Sequence, residues 1–161
     1  MSLTRRTQSA ADDSLSDVMA SADVFVGASA KDALSVSDVS RMANDAIVFA
    51  LVNPDPEIAL EDAKRHVRVM ATGRSDFSTQ INNVLCFRGL FRGALDVRAR
   101  NINQEMKLVA ASAIVSTISE NELHAKYIVL RVFDGRVAAA VAEAASHTAI
   151  ETGEARREPK S

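Results

Sequence analysis

Apolar and polar positions along this chain fall into short runs that switch between strand-like and helix-like spacing. The most informative run, residues 47–52 (IVFALV), is apolar throughout, with β-branched Ile47, Val48 and Val52. Such a run suits a strand covered on both faces, as in a parallel sheet. It stops at Asn53-Pro54-Asp55-Pro56-Glu57, where two prolines fix φ and remove two backbone donors. Helix-compatible residues 59–67 follow, then a second short apolar strand over 67–71 and the polar loop TGRSDFSTQ, which leads to Asn82-Asn83.

The same pattern places further elements on either side. Residues 14–22 can form two helical turns with Leu15, Val18 and Met19 on one face. Residues 23–27 read as a short strand ending in the small residues Gly27-Ala28-Ser29, suited to a turn or to close approach by a ligand. Ser35 is an N-cap candidate for a helix over 35–43, with Val36, Val39 and Met42 on its apolar side.

After Asn83, residues Leu90, Phe91, Ala94 and Leu95 form one apolar stripe, opposite Arg88, Arg92 and Asp96. Asn101 or Asn103 caps an Ala-rich helix over 104–118, suited to burial against a sheet or a partner. Residues 127–130 (YIVL) form a candidate last strand. Asp134 can cap a final helix in which Val137, Val141, Ala145 and Ala149 recur every four residues, and Gly153 ends it. Residues 1–13 read as a disordered leader, 14–157 as the folded domain and 158–161 as a charged tail. Alternating strands and helices predict an α/β fold.

Composition narrows the function classes. Nineteen basic against 21 acidic side chains leave a net charge of -2. No general field attracts nucleic acid or an anionic membrane, so neither is an expected partner. No apolar run reaches the ~18 residues of a membrane span. The single cysteine, Cys86, excludes an internal disulfide and a cysteine metal cage, and fits a cytoplasmic protein. It sits in an apolar context as a core thiol.

Candidate chemistry lies in the two polar loops, because ligands of parallel α/β sheets sit outside the carboxyl ends of the strands. Asn53 and Asn83 stand out. A carboxamide offers donors and an acceptor without charge and can orient a carboxylate, a hydroxyl or another amide. The same residues also fit plain structural duty: Asn53 in an Asx-turn before Pro54, and Asn82 and Asn83 as helix caps. Gly27-Ala28-Ser29 is either a ligand-facing turn or an ordinary βα turn. Asp12, Asp13 and Asp17 read as a solvated leader and not as a metal site. Arg74 and Asp76 read as a surface pair, and His66, His124 and His147 as surface residues. Gly89 and Gly93 are set for helix packing. None of the six glycines falls in a GxGxxG or GxxxxGK spacing, so the chain contains no self-contained pyrophosphate cradle.

The motifs VFALVNPDPEI, ATGRSDF, QINNVL, FRGALDVRA and INQEMKLVAASAI, in that order, resemble the C-terminal part of the NAD-binding domain of malic enzymes, bacterial ones above all. The resemblance covers about residues 22–157. It implies a partial Rossmann-like, doubly wound parallel sheet of three to four strands with flanking helices. It also implies oxidative decarboxylation of malate to pyruvate with NAD or NADP, assisted by Mg²⁺ or Mn²⁺. Asn53 and Asn83 match the family's substrate-contacting asparagines. With that family's cofactor in view, Gly27, Ala28 and Ser29 at their strand end, Asn53 and Asn82 are the expected cofactor-binding residues.

The family's glycine turn, its proton-transferring Tyr and Lys, and its metal carboxylates precede the matched region, so no catalytic residue or metal ligand is assigned here. Arg88 replaces a usual Pro after Phe87. Gly135 replaces the Pro of an FDPRV turn, and Arg131 falls in a segment that is normally Pro- and Ser-rich. These features lead to the expectation of a fragment inactive by itself, a homo-oligomer or a partner-bound chain. The alternative is a non-catalytic interaction protein derived from a malic enzyme.

Overall fold

The computed structural model describes residues 14–74, 79–131 and 134–157. The expected leader, the expected tail and Asp76 lie outside them. The chain divides into two compact units, one ending at Arg74 and one following it.

The first unit is built on three parallel strands, β1 (Val24–Gly27), β2 (Ile47–Ala50) and β3 (Val69–Thr72), in the order β1-β2-β3. Gly27 pairs with Ala50 and Ala50 with Thr72, so all three strands end at one level. Short helices α1 (Leu15–Val18), α2 (Val36–Ser40) and α3 (Leu60–Ala63) flank them. Parallel neighbours require crossovers, and α2 and α3 lie in them. The expected strand positions hold. However, β2 stops two residues short of Val52, and α3 is a single turn where a helix over 59–67 is expected.

The core of this unit joins Met19, Leu34, Val39, Val48, Ala50, Ile58 and Met70. Ser35 caps α2 as expected, its hydroxyl accepting from the Asp38 N–H at 3.1 Å. The Asp38 carboxylate accepts in return from the Ser35 N–H and from the hydroxyls of Ser35 and Ser16, which ties α2 to α1. The outer side of β1 has no neighbouring strand among the described residues, and Val24 and Val26 are 54% and 61% exposed.

The second unit is helical: α4 (Val84–Asp96), α5 (Gln104–Ser116) and α6 (Gly135–Glu151). The four-residue repeat of α6 is its buried stripe, with Val137, Val141, Ala145 and Ala149 all in the core. A buried valine of this kind contributes about 1.5–3 kcal/mol. Asp134 caps α6 by accepting from the Arg136 N–H at 2.9 Å, and Gly153 follows it at φ +74°. Asn103 caps α5 through the Met106 N–H at 2.9 Å.

Gly89 and Gly93 set the α4–α6 approach: a Cβ on Gly89 would stand 2.5 Å from Val141 Cβ, and one on Gly93 would strike the Ala142 carbonyl oxygen. That contact divides the apolar stripe expected on α4. Leu90 and Ala94 turn into the core beside the glycines, while Phe91 and Leu95 are left exposed. α5 likewise buries only Met106 and Ala110, leaving Leu108 and Val115 in solvent.

The strand expected over 127–130 does not form. This stretch makes one antiparallel bridge, His124 with Tyr127. Its Leu130 is buried against the helical cluster. A single extended segment with no strand beside it gains little, whereas packing its apolar residues on helices gains the burial. No helix among the described residues is long and apolar enough to cross a membrane.

Candidate functional site

Because the three strands end level, their following loops share the carboxyl edge of the sheet. The loop after β1 starts at buried Gly27 and exposes Ala28 and Ser29; the loop after β2 exposes Asn53. Several contacts stitch these two loops together. The Asp32 N–H donates to Pro56 O at 3.3 Å and the Leu34 N–H to Glu57 O at 3.0 Å. Lys31 pairs with Asp55 at 3.3 Å. The fully buried Glu57 side chain accepts from the Ser29 N–H at 3.1 Å and from the Val52 N–H at 3.3 Å.

Gly27 is required by this arrangement, since a Cβ there would lie 2.6 Å from the Glu57 carboxyl. The loop after β3 closes in similarly. A Cβ on Gly73 would meet Leu51 O at 2.7 Å and Asn53 Nδ2 at 2.8 Å, and the Arg74 guanidinium donates to Pro54 O at 3.4 Å. The Asn53–Pro54 peptide is cis.

Glu57 is the residue that sequence reasoning misses. A glutamate after Asp-Pro reads as one more polar loop residue, and only its burial between two loops reveals its use. The signal available in the sequence was Gly27, a glycine ending a strand where a close approach was expected.

The Asn53 carboxamide makes no side-chain hydrogen bond among the described residues, so the Asx-turn alternative is not realised and its donors and acceptor remain available. In the second unit, Asn82 and Asn83 open α4. Asn82 Oδ1 accepts from the Val84 N–H at 3.0 Å, whereas the exposed Asn83 is the N-cap residue without a side-chain capping bond. Capping thus falls to Asn82 and leaves the Asn83 carboxamide presented to solvent. Two residues earlier, Gln80 Oε1 is buried without a partner among the described residues. The structure therefore brings Gly27, Ala28, Ser29 and Asn53 to one edge of the first unit and Asn82 and Asn83 to the start of the second.

The three histidines are exposed. Cys86 is half-buried and burial pushes its thiol up, which keeps it a poor nucleophile. Among the described residues no three His, Cys, Asp or Glu side chains gather as metal ligands. Asp17 instead accepts from the Ser14 N–H and hydroxyl at the start of α1.

The family model of the malic enzyme NAD-binding domain matches residues 3–150. The chain belongs to the malic enzyme family. It is 59% identical to the NAD-dependent malic enzyme of Geobacillus stearothermophilus, the match covering 90% of this chain and 30% of that protein. It is 56% identical to the bifunctional malic/malolactic enzyme of Bacillus subtilis, over 90% of this chain and 36% of that one. Malic enzyme crystal structures agree in fold. The Pyrococcus horikoshii protein superposes with a TM-score of 0.80 at 40% identity, covering 91% of this chain and 34% of its own. The Entamoeba histolytica protein gives 0.85 at 30% identity, covering 90% and 30%. The chain thus spans about a third of the length of these malic enzymes. Its α/β architecture with a three-stranded parallel sheet is that of their Rossmann-like NAD-binding domain, and nicotinamide cofactors belong to the family as a whole.

Proposed function

We propose that this chain supplies the nicotinamide and substrate side of a malic enzyme, whose reaction is oxidative decarboxylation of malate to pyruvate. The observation that carries this is the level carboxyl edge of β1 and β2, which presents Ser29 and an unengaged Asn53 carboxamide. Ligands of parallel α/β sheets gather at such an edge. Neutral groups on offer there and at the start of α4 are a hydroxyl and two carboxamides. Neutral donors and acceptors can hold a nicotinamide amide or a hydroxy acid without disturbing its charge.

Gly27, Ala28, Ser29, Asn53 and Asn82 would line the cofactor. Asn53 and Asn83 would orient malate. When bound, NAD or NADP supplies the hydride acceptor. The described residues offer no fit for the Mg²⁺ or Mn²⁺ of the family, and no role here involves a metal. A second reading, a non-catalytic interaction protein, draws on the exposed Val24 and Val26 of β1.

The 161-residue chain has no GxGxxG cradle. We therefore expect it to form no NAD(P)H from malate and to bind NAD⁺ weakly. Saturation at 100 times Kd would stabilise the fold by about 2.7 kcal/mol; millimolar NAD⁺ should raise the melting temperature by much less than that implies. Weak, fast-exchange amide shifts should appear at residues 27–29, 53 and 82–83. Shifts confined to α5 and α6 would overturn the site assignment. Malate-dependent turnover lost in Asn83→Ala would overturn the expectation of inactivity.

A further inference from the structure

Glu57 is fully buried, yet it lies in the loop after β2 and bonds both that loop and the one after β1. A buried carboxylate is costly unless its oxygens are hydrogen-bonded, and here each oxygen takes one backbone N–H. The donors come from different loops: Ser29 after β1 and Val52 after β2. Backbone N–H groups that converge on one point attract an anion, and hydrogen bonds to a charged acceptor are the strong ones. In this chain that place is already filled from within. The missing Cβ of Gly27 leaves room for the Glu57 carboxyl, which would otherwise be 2.6 Å from it.

We propose that Glu57 is a specificity-determining and positioning residue: its carboxylate is a resident anion at the ends of β1 and β2. It closes the Ser29 and Val52 N–H groups to phosphate and leaves the edge open to neutral polar ligand groups. The same two bonds fix Ser29 relative to the strand end that carries Asn53. The inference rests on the nicotinamide-side reading above, because it says which part of a dinucleotide this edge excludes. Phosphate oxygens reaching for the Ser29 and Val52 N–H groups would find both already taken and a charge of their own sign beside them. A carboxamide or hydroxyl would meet the Asn53 amide and the Ser29 hydroxyl.

The test uses the isotopically labelled 161-residue chain and inorganic pyrophosphate as the probe. In the wild type, the Ser29 and Val52 amides should be protected from exchange and unmoved by millimolar pyrophosphate. Glu57→Gln keeps the shape but offers one acceptor oxygen, so one of the two amides should exchange about tenfold faster or more, the loss of a hydrogen bond to a charged group. In Glu57→Ala both amides should lose protection and shift on adding pyrophosphate. Saturable movement of these two amides by pyrophosphate in the wild type would overturn the proposal. So would a Glu57→Gln chain in which both amides behave as in the wild type, or a folded Glu57→Ala chain in which pyrophosphate moves neither. If Glu57→Ala does not fold, the wild-type titration and Glu57→Gln decide the matter. The NAD⁺ shifts described above report on dinucleotide contact and not on Glu57, so either conclusion can fail alone.

Discussion

Gly135 occupies the first position of α6, behind the capping Asp134, and a Cβ there would meet nothing within 4 Å. The capping bond runs from the Arg136 N–H, so it does not use the Gly135 N–H. Asp134 sits at φ -73° and ψ 116°, an extended conformation of the kind that precedes proline. Proline is favoured at a first helical position because that N–H has no intrahelical acceptor. Gly135→Pro should therefore stabilise the chain by about 0.4–1 kcal/mol, acting through the unfolded state. Urea unfolding checks this, and a lower midpoint would show that the Gly135 N–H is needed. The change restores the residue that the family resemblance expects here. Gly89 and Gly93 are glycines of the opposite kind, since side chains there would be driven into α6.

At the scale of elements, the short helices of the first unit are too small to stand by propensity and depend on their ends. α2 has five residues, and its capping carboxylate Asp38 also accepts from Ser16 in α1. Hydrogen bonds from Ser16 first, and then Ser35, hold the Asp38 carboxyl below its ordinary value of 3.8. A carboxyl depressed in the folded state adds stability that is present above the ordinary value and lost as pH falls through the folded value. Wild type should thus be more stable than Asp38→Asn at pH well above 3.8, with the difference shrinking under more acid conditions. Urea midpoints of both chains across that range measure it; a gap that does not change with pH would mean the ionised form is not what matters. The helices of the second unit are longer and rely on packing, with α6 burying one residue per turn along its length.

At the scale of the whole molecule, β1 has no strand on its outer side among the described residues, and its Val24 and Val26 are exposed. Unpaired strand edges carrying apolar side chains recruit further strands. The chain should accordingly self-associate, and Val24→Lys should reduce that by placing a charge on the edge. Light scattering over a concentration series is the measurement, and a wild type that stays monomeric at high micromolar concentration would refute it. Much of this architecture was legible in the chain itself. Apolar runs bounded by Gly and Asn-Pro located all three strands, and Ser35 and Asp134 announced their caps while Asn103 was one of two candidates for its own, because strand pleat, helix period and capping are local in sequence. The fixed order of short motifs was specific enough to point to the malic enzyme family. Where periodicity was ambiguous, tertiary contacts decided: residues 127–130 had no strand to pair with, and two glycines turned α4 so that Leu90 went in and Phe91 out. Asn82 rather than Asn83 took the capping bond. The role of Glu57 was hinted at only by Gly27, because a carboxylate becomes a structural anion only when its own loop folds against a distant one and excludes water.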